Sequence, residues 1–172
     1  WGVRVVITED WGHCDCGGLA YLDSFTADVD QPVFVFNETE IGVSAASTHE
    51  VGHALGLRHD GTSDSNQAGA EDSSHDDHSH DDGDEYIVCD FPLENSQAST
   101  EYYGGHGTGE VSWGPIMGSG YYANMTTWDT GEYFEASNHE DDWQIITTEN
   151  GFGYRSDDHG DTSYSASSLE VV

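Results

Sequence analysis

The stretch "HEVGHALGLRH", residues 49–59, constrains this chain more than any other. His49 and His53 stand four residues apart, which on an α-helix puts them one turn above the other on the same face. Two imidazoles so placed can grip one metal ion. Glu50 projects beside that face, near enough to act on a water at the metal without being a ligand. A tetrahedral zinc takes a third protein ligand and keeps an open position, and a straight helix does not easily supply the third. Gly56 answers that need. Glycine accepts the left-handed conformation that ends a helix and reverses the chain, so His59, three residues on, can return to the same metal. The pattern therefore predicts a helix ending at Leu55 or Gly56, with Ser44 available as its N-cap.

The rest of the text says what carries this helix. "VRVVITED" (3–10), "GGLAYLDSF" (17–25) and "PVFVFNE" (32–38) are rich in β-branched and aromatic residues and predict three strands ahead of it. "SDSNQAGAEDSSHDDHSHDDGDE" (63–85) is almost without apolar residues or period and predicts a solvated acidic insertion. "WGPIMGSG" (113–120) is a turn around Met117. "NHEDDWQIITTE" (138–149) predicts a second helix, capped by Asn138, with Trp143, Ile146 and Ile145 as its buried stripe. At 172 residues, one domain is expected.

Charge narrows the function classes. Thirty-four acidic residues against three basic ones give a formal net charge of −31. Such a surface repels nucleic acid and anionic membranes, so neither is expected as a partner. It suits a protein kept soluble in salty water, and its acidic clusters could hold calcium (Ca2+). Five Trp, nine Tyr and six Phe supply the bulky apolar side chains that disordered chains lack, so folding is expected. No run of 18 apolar residues and no basic-then-apolar leader is found, so neither a membrane span nor a retained signal peptide is expected. Three cysteines allow at most one internal disulfide. Cys14 and Cys16 are too close in sequence to pair readily, which leaves Cys89 bonded to one of them, or zinc held by Cys-x-Cys as the rival.

The full string H-E-x-x-H-x-x-G-x-x-H followed by a methionine turn, here "HEVGHALGLRH" and then "GPIMG", resembles the metzincin zinc metallopeptidases. Asp60, directly after the third histidine, resembles the reprolysin or adamalysin-like branch. The text from Trp113 to Asp142 is similar to secreted bacterial enzymes of that branch. The resemblance runs over residues 1–155, with 156–172 as a linker or the opening of an appended module. It implies an α+β domain, of mixed sheet, active-site helix and C-terminal helix, that lacks the first part of the family's domain. It also implies a secreted, monomeric endopeptidase acting on extended protein or peptide segments. Within it, His49, His53 and His59 bind zinc (Zn2+) and Glu50 is the general base. Met117 forms an apolar floor under the imidazoles, and Asp60 hydrogen-bonds backbone behind the site. Gly18, Leu19, Ala20 and Tyr21 would lie on an edge strand that pairs with substrate, a plain sheet edge being the equal alternative, and Tyr121 would line a side-chain pocket. Two rival readings stand beside this one. A catalytically inactive binding or structural module could retain the zinc site. An acidic metal-sequestering protein would instead use "HDDHSHDD" (75–82), although such a loop commonly holds only a diffuse ion cloud.

Overall fold

The structure, a computed structural model, describes residues 2–9, 16–63, 87–90 (backbone only), 101–156, 159–160 and 162–168. Three short strands precede a long helix, as the β-branched runs predict: β1 (Val5–Ile7), β2 (Gly18–Tyr21) and β3 (Val33–Val35), then α1 (Glu40–Ala54). A fourth strand, β4 (Ile87–Asp90), completes a mixed sheet of order β1-β3-β2-β4. β1 runs parallel to β3, and β2 is antiparallel to both β3 and β4. The chain is thus a small α+β domain.

The sheet takes α1 on one face. In β3, Val33 and Val35 point to the helix and are fully buried, while Phe34 points away and stacks on Phe36 at 6.5 Å. In β2 the helix-facing residues are Gly18 and Ala20, so the backbone of α1 can approach closely there. Ala20, Val33 and Ala54 form the centre of the core, with Val3 and Val51 packed against them. Burying such aliphatic side chains supplies roughly 25 cal/mol for each Å2 removed from water.

α1 begins one turn earlier than Ser44 would allow. Thr39 is its N-cap, accepting a hydrogen bond from the Gly42 amide at 3.1 Å, and Ser44 lies within the helix, where its carbonyl accepts from the Thr48 hydroxyl. The C-terminal end is as expected. Gly56 has φ +100°, its amide bonds the His53 carbonyl at 2.9 Å, and the Leu57 amide bonds the Gly52 carbonyl at 3.0 Å. This pair of bonds is the Schellman closure, which satisfies carbonyls that the end of a helix leaves open.

Beyond the insertion, β5 (Trp113–Pro115) and β6 (Met125–Thr127) pair in parallel. The second helix, α2 (Asp142–Gln144), is capped by the Asp141 side chain, not by Asn138, and continues as a π-helical turn over Ile145–Glu149. Its expected stripe is only partly met. Ile145 and Ile146 are half-buried, but Trp143 is 50 % exposed, and the buried residues are instead Asp142 and Asn150. The Asn150 amide donates to the Leu55 carbonyl at 2.9 Å and so ties this segment to the end of α1.

Cys16 is disulfide-bonded. Cys14, the Cys89 side chain and the acidic insertion beyond Ser63, with its expected metal uptake at 75–82, lie outside the described residues. Among the described residues, no helix is long and apolar enough to cross a membrane.

Gly56→Ala should lower stability by about 1–2 kcal/mol, because an L side chain in the left-handed region costs that much. A Cβ at Gly56 meets only ordinary contacts, the nearest at 3.5 Å, so the loss is one of backbone strain. Denaturant unfolding of this variant beside Gly2→Ala, where an added Cβ touches nothing within 4 Å, measures it.

Candidate metal centre

The buried stripe of α1 is made of small and chemically active residues: Gly42, Ala46, His49, Glu50, Gly52, His53 and Ala54. An ordinary amphipathic helix would put Leu and Ile there. His49 and His53 are 3 % and 1 % exposed, and the chain reversal at Gly56 brings His59 back to them. Ring centroids are 4.8 Å apart for His49 and His53, 5.4 Å for His49 and His59, and 4.6 Å for His53 and His59. One nitrogen from each ring lies within 4.8 Å of the others, so the three can hold a metal ion.

Each ring is oriented through its Nδ1. His49 Nδ1 bonds the Ile116 carbonyl at 2.8 Å and His53 Nδ1 bonds the Leu57 carbonyl at 2.8 Å. A carbonyl only accepts, so in both rings the proton sits on Nδ1 and Nε2 carries the lone pair that a metal needs. His59 Nδ1 lies 2.7 Å from Glu101 Oε1. Outer partners of this kind, carbonyls or carboxylates, are the usual supports of metal-binding imidazoles. The donor set and its tautomers therefore fit a metal ion.

The surroundings of the three rings come from four segments. Met117 is fully buried, and a Cβ at Gly52 would overlap its sulfur, so the side chain lies directly against the helix between the two histidine turns. Its carbonyl accepts from the Asp60 amide at 2.9 Å. Glu50 is 0 % exposed and packs under β2, where any side chain at Gly18 would collide with its carboxylate. Tyr102 sits with its ring centroid 4.3 Å from that of His59.

The expected substrate strand is corrected. Gly18, Leu19, Ala20 and Tyr21 form an interior strand, because β4 pairs with the side of β2 that β3 leaves open, in the register Gly18↔Asp90 to Tyr21↔Ile87. Gly18 does lie at the site, as the neighbour of Glu50. Tyr121 borders a small recess beside His49, Ala45 and Ile116, which continues into a shallow cavity of about 300 Å3 reaching Ile41 and Glu40.

Asp60 also differs from expectation. Its carboxylate accepts from the Asn138 side-chain amide at 3.3 Å, while its backbone makes the bonds to Met117 and Tyr103. It belongs to a buried acid cluster. Asp60 Oδ2, Asp129 Oδ2 and Asp142 Oδ1 have no hydrogen-bond partner among the described residues. Burial, then the charges of Asp129, Asp142 and Glu140, push the Asp60 carboxyl up to about 8, against the pull of Asn138. Burial likewise pushes Asp142 up to about 7, opposed by its bond from the Asp129 amide and helped by the charges of Asp129, Glu140 and Asp141. Burial raises Asp129 as well.

The spacing argument located the histidines, Glu50 and Gly56. It did not locate Glu101, Tyr102, Gly52 or the carbonyls of Leu57 and Ile116. Gly52 alone was open to inference, since a glycine inside a helix invites the question of what packs on it. No protein-family model, curated protein or solved structure matches this chain.

A carboxyl raised in the folded state favours the native fold at low pH, where it is protonated, and loses that contribution as pH climbs from its unfolded value through its folded one. For Asp142 that window runs from about 4 to about 7. Asp142→Asn should therefore show a smaller fall in melting temperature than wild type between pH 5 and pH 8, as followed by circular dichroism.

Proposed function

We propose that the chain is a zinc-dependent endopeptidase of the metzincin type, acting on extended segments of proteins or peptides. The observation that carries this reading is the coincidence of three convergent imidazoles with a fully buried Glu50 one residue after the first of them. A metal-sequestering protein has no use for a buried carboxylate placed there, and hydrolysis of an amide does.

His49, His53 and His59 would hold the zinc through their Nε2 atoms. A zinc ion so held polarises a carbonyl and acidifies water, which is what an amide, a poor electrophile with a poor leaving group, requires. Glu50 supplies the proton transfers. Its carboxylate takes the proton of the attacking water and returns it to the departing amine. Burial beneath Gly18 keeps that carboxylate from bulk solvent and restricts its movement. The Nδ1 bonds from His49 to Ile116 and from His53 to Leu57 keep the rings in the metal-binding tautomer. Met117 fills the space under the helix, so the imidazoles cannot sag from their positions. The cavity bounded by Tyr121, beside His49, would accept a side chain of the substrate next to the cleaved bond. Secretion and monomeric action belong to the same reading, and the resemblance over residues 1–155 supports them.

Glu50→Gln should lower kcat for peptide hydrolysis by roughly 100-fold or more, the usual worth of a general base, while zinc content and the circular dichroism spectrum stay as in wild type. His53→Ala should lose the metal itself. Chelation should abolish cleavage and added zinc should restore it. Turnover that survives Glu50→Gln would remove Glu50 as the base, turnover that survives thorough chelation would remove zinc, and wild type that binds zinc but cleaves no peptide would leave a binding module as the better reading.

A further inference from the structure

The three histidines have unequal supports. His49 and His53 each bond a neutral backbone carbonyl, but His59 bonds a carboxylate, Glu101 Oε1, at 2.7 Å. We propose that Glu101 is a positioning residue that sets how tightly this centre holds zinc, by placing a full negative charge on the far side of the His59 ring. The proposal rests on the zinc reading above.

Three observations support it. First, three neutral imidazoles leave a zinc ion with its whole charge of two, and an anion hydrogen-bonded to one ring adds to the compensation from Glu50 without using up a coordination position. Such a carboxylate draws the Nδ1 proton toward itself and makes Nε2 a better donor. Second, His59 is the ligand that most needs holding. His49 and His53 are fixed on α1, whereas His59 stands on irregular chain after Gly56. Third, Glu101 is not a loose surface side chain, although it is 57 % exposed. Its segment is fastened two residues on, where the Tyr103 amide bonds the Asp60 carbonyl at 2.6 Å and the Ser119 amide bonds the Tyr103 carbonyl at 2.9 Å. The Tyr103 ring stacks on Tyr133 at 4.2 Å with the planes 4° apart. Tyr102, between them, lies against His59 itself. The chain just past the insertion is therefore built onto the metal-binding loop and carries its anion to the ring.

The test separates charge from shape. Glu101→Gln keeps an oxygen that accepts from Nδ1 but removes the charge. Glu101→Ala removes both. Glu110→Gln makes the same change in net charge in the exposed turn Gly109–Val111. Zinc dissociation constants of the metal-free full-length proteins are measured by competition with a chromophoric chelator, and the cobalt-loaded forms give a visible spectrum that reports the ligand field. The expected result is a zinc dissociation constant raised about 10–100-fold in Glu101→Gln, with at least as large a rise in Glu101→Ala and none in Glu110→Gln. The cobalt band should shift in Glu101→Gln with the fold unchanged by circular dichroism. If wild type binds one zinc tightly and Glu101→Gln binds it equally well, the charge has no part and the proposal is wrong while the zinc reading stands. A loss confined to Glu101→Ala, or shared equally by Glu110→Gln, also overturns it, in favour of shape or of bulk charge. Wild type that takes up no zinc removes both readings together.

Discussion

At Gly56 the backbone turns into the left-handed region, and its own amide and the next one fold back onto the helix they have just left. The Leu57 amide bonds Gly52, and the Leu57 carbonyl then receives the Nδ1 proton of His53. One residue thus closes the helix and orients a histidine of the candidate centre. Because Leu57 is also fully buried, its position is set by packing as well as by hydrogen bonds. His59 and Asp60 follow at fixed distance from it, and Asp60 joins the Met117 turn, which in turn supplies the carbonyl that orients His49. The centre is a closed circuit of short backbone links. Two of its rings take their orientation from the main chain, and the third takes it from the Glu101 side chain.

That circuit separates two polar environments. On one side lie the three imidazoles with Glu50. On the other, behind Asp60, carboxyl groups crowd together with few donors to satisfy them. Like charges in low dielectric cannot all ionise, so this cluster keeps protons near neutral pH. The formal charge of −31 counts every carboxyl as ionised and so overstates the charge of the folded protein. Among the described residues, burial raises the carboxyls of Asp60, Asp129 and Asp142, while most of the acid stands in water.

The features legible in the sequence were those set by local geometry. Two histidines four apart, a glycine at the point of reversal and three short apolar runs, two of them β-branched, each specify their structure within a few residues. What escaped notice depends on partners far along the chain. Glu101 stands 42 residues from His59, and nothing in its neighbourhood marks it as different from the other acidic residues. β4 is four residues long and follows a polar stretch, yet it takes the edge that β2 offers and turns an expected margin of the sheet into its interior. Thr39 and Ser44 are both N-cap residue types at the head of the same Ala-rich run, and only the bond from the Gly42 amide shows which one caps. Helical spacing puts Trp143 on one stripe with Ile145 and Ile146, but the segment is anchored through Asn150 and Asp142, which leaves Trp143 half-exposed.

The chain is pinned on both sides of its acidic segment. Ser63 is held by the Glu135 carbonyl at 2.8 Å, and β4 is held along β2, so the described chain on each side of residues 64–86 is fixed to the fold. The entropy lost in closing a loop grows only with the logarithm of its length, and each doubling costs about 0.6 kcal/mol. Between two ends held in this manner, a connection of another length would change that cost little. The two anchored ends thus form a socket whose geometry is set by the sheet and by the Glu135 turn.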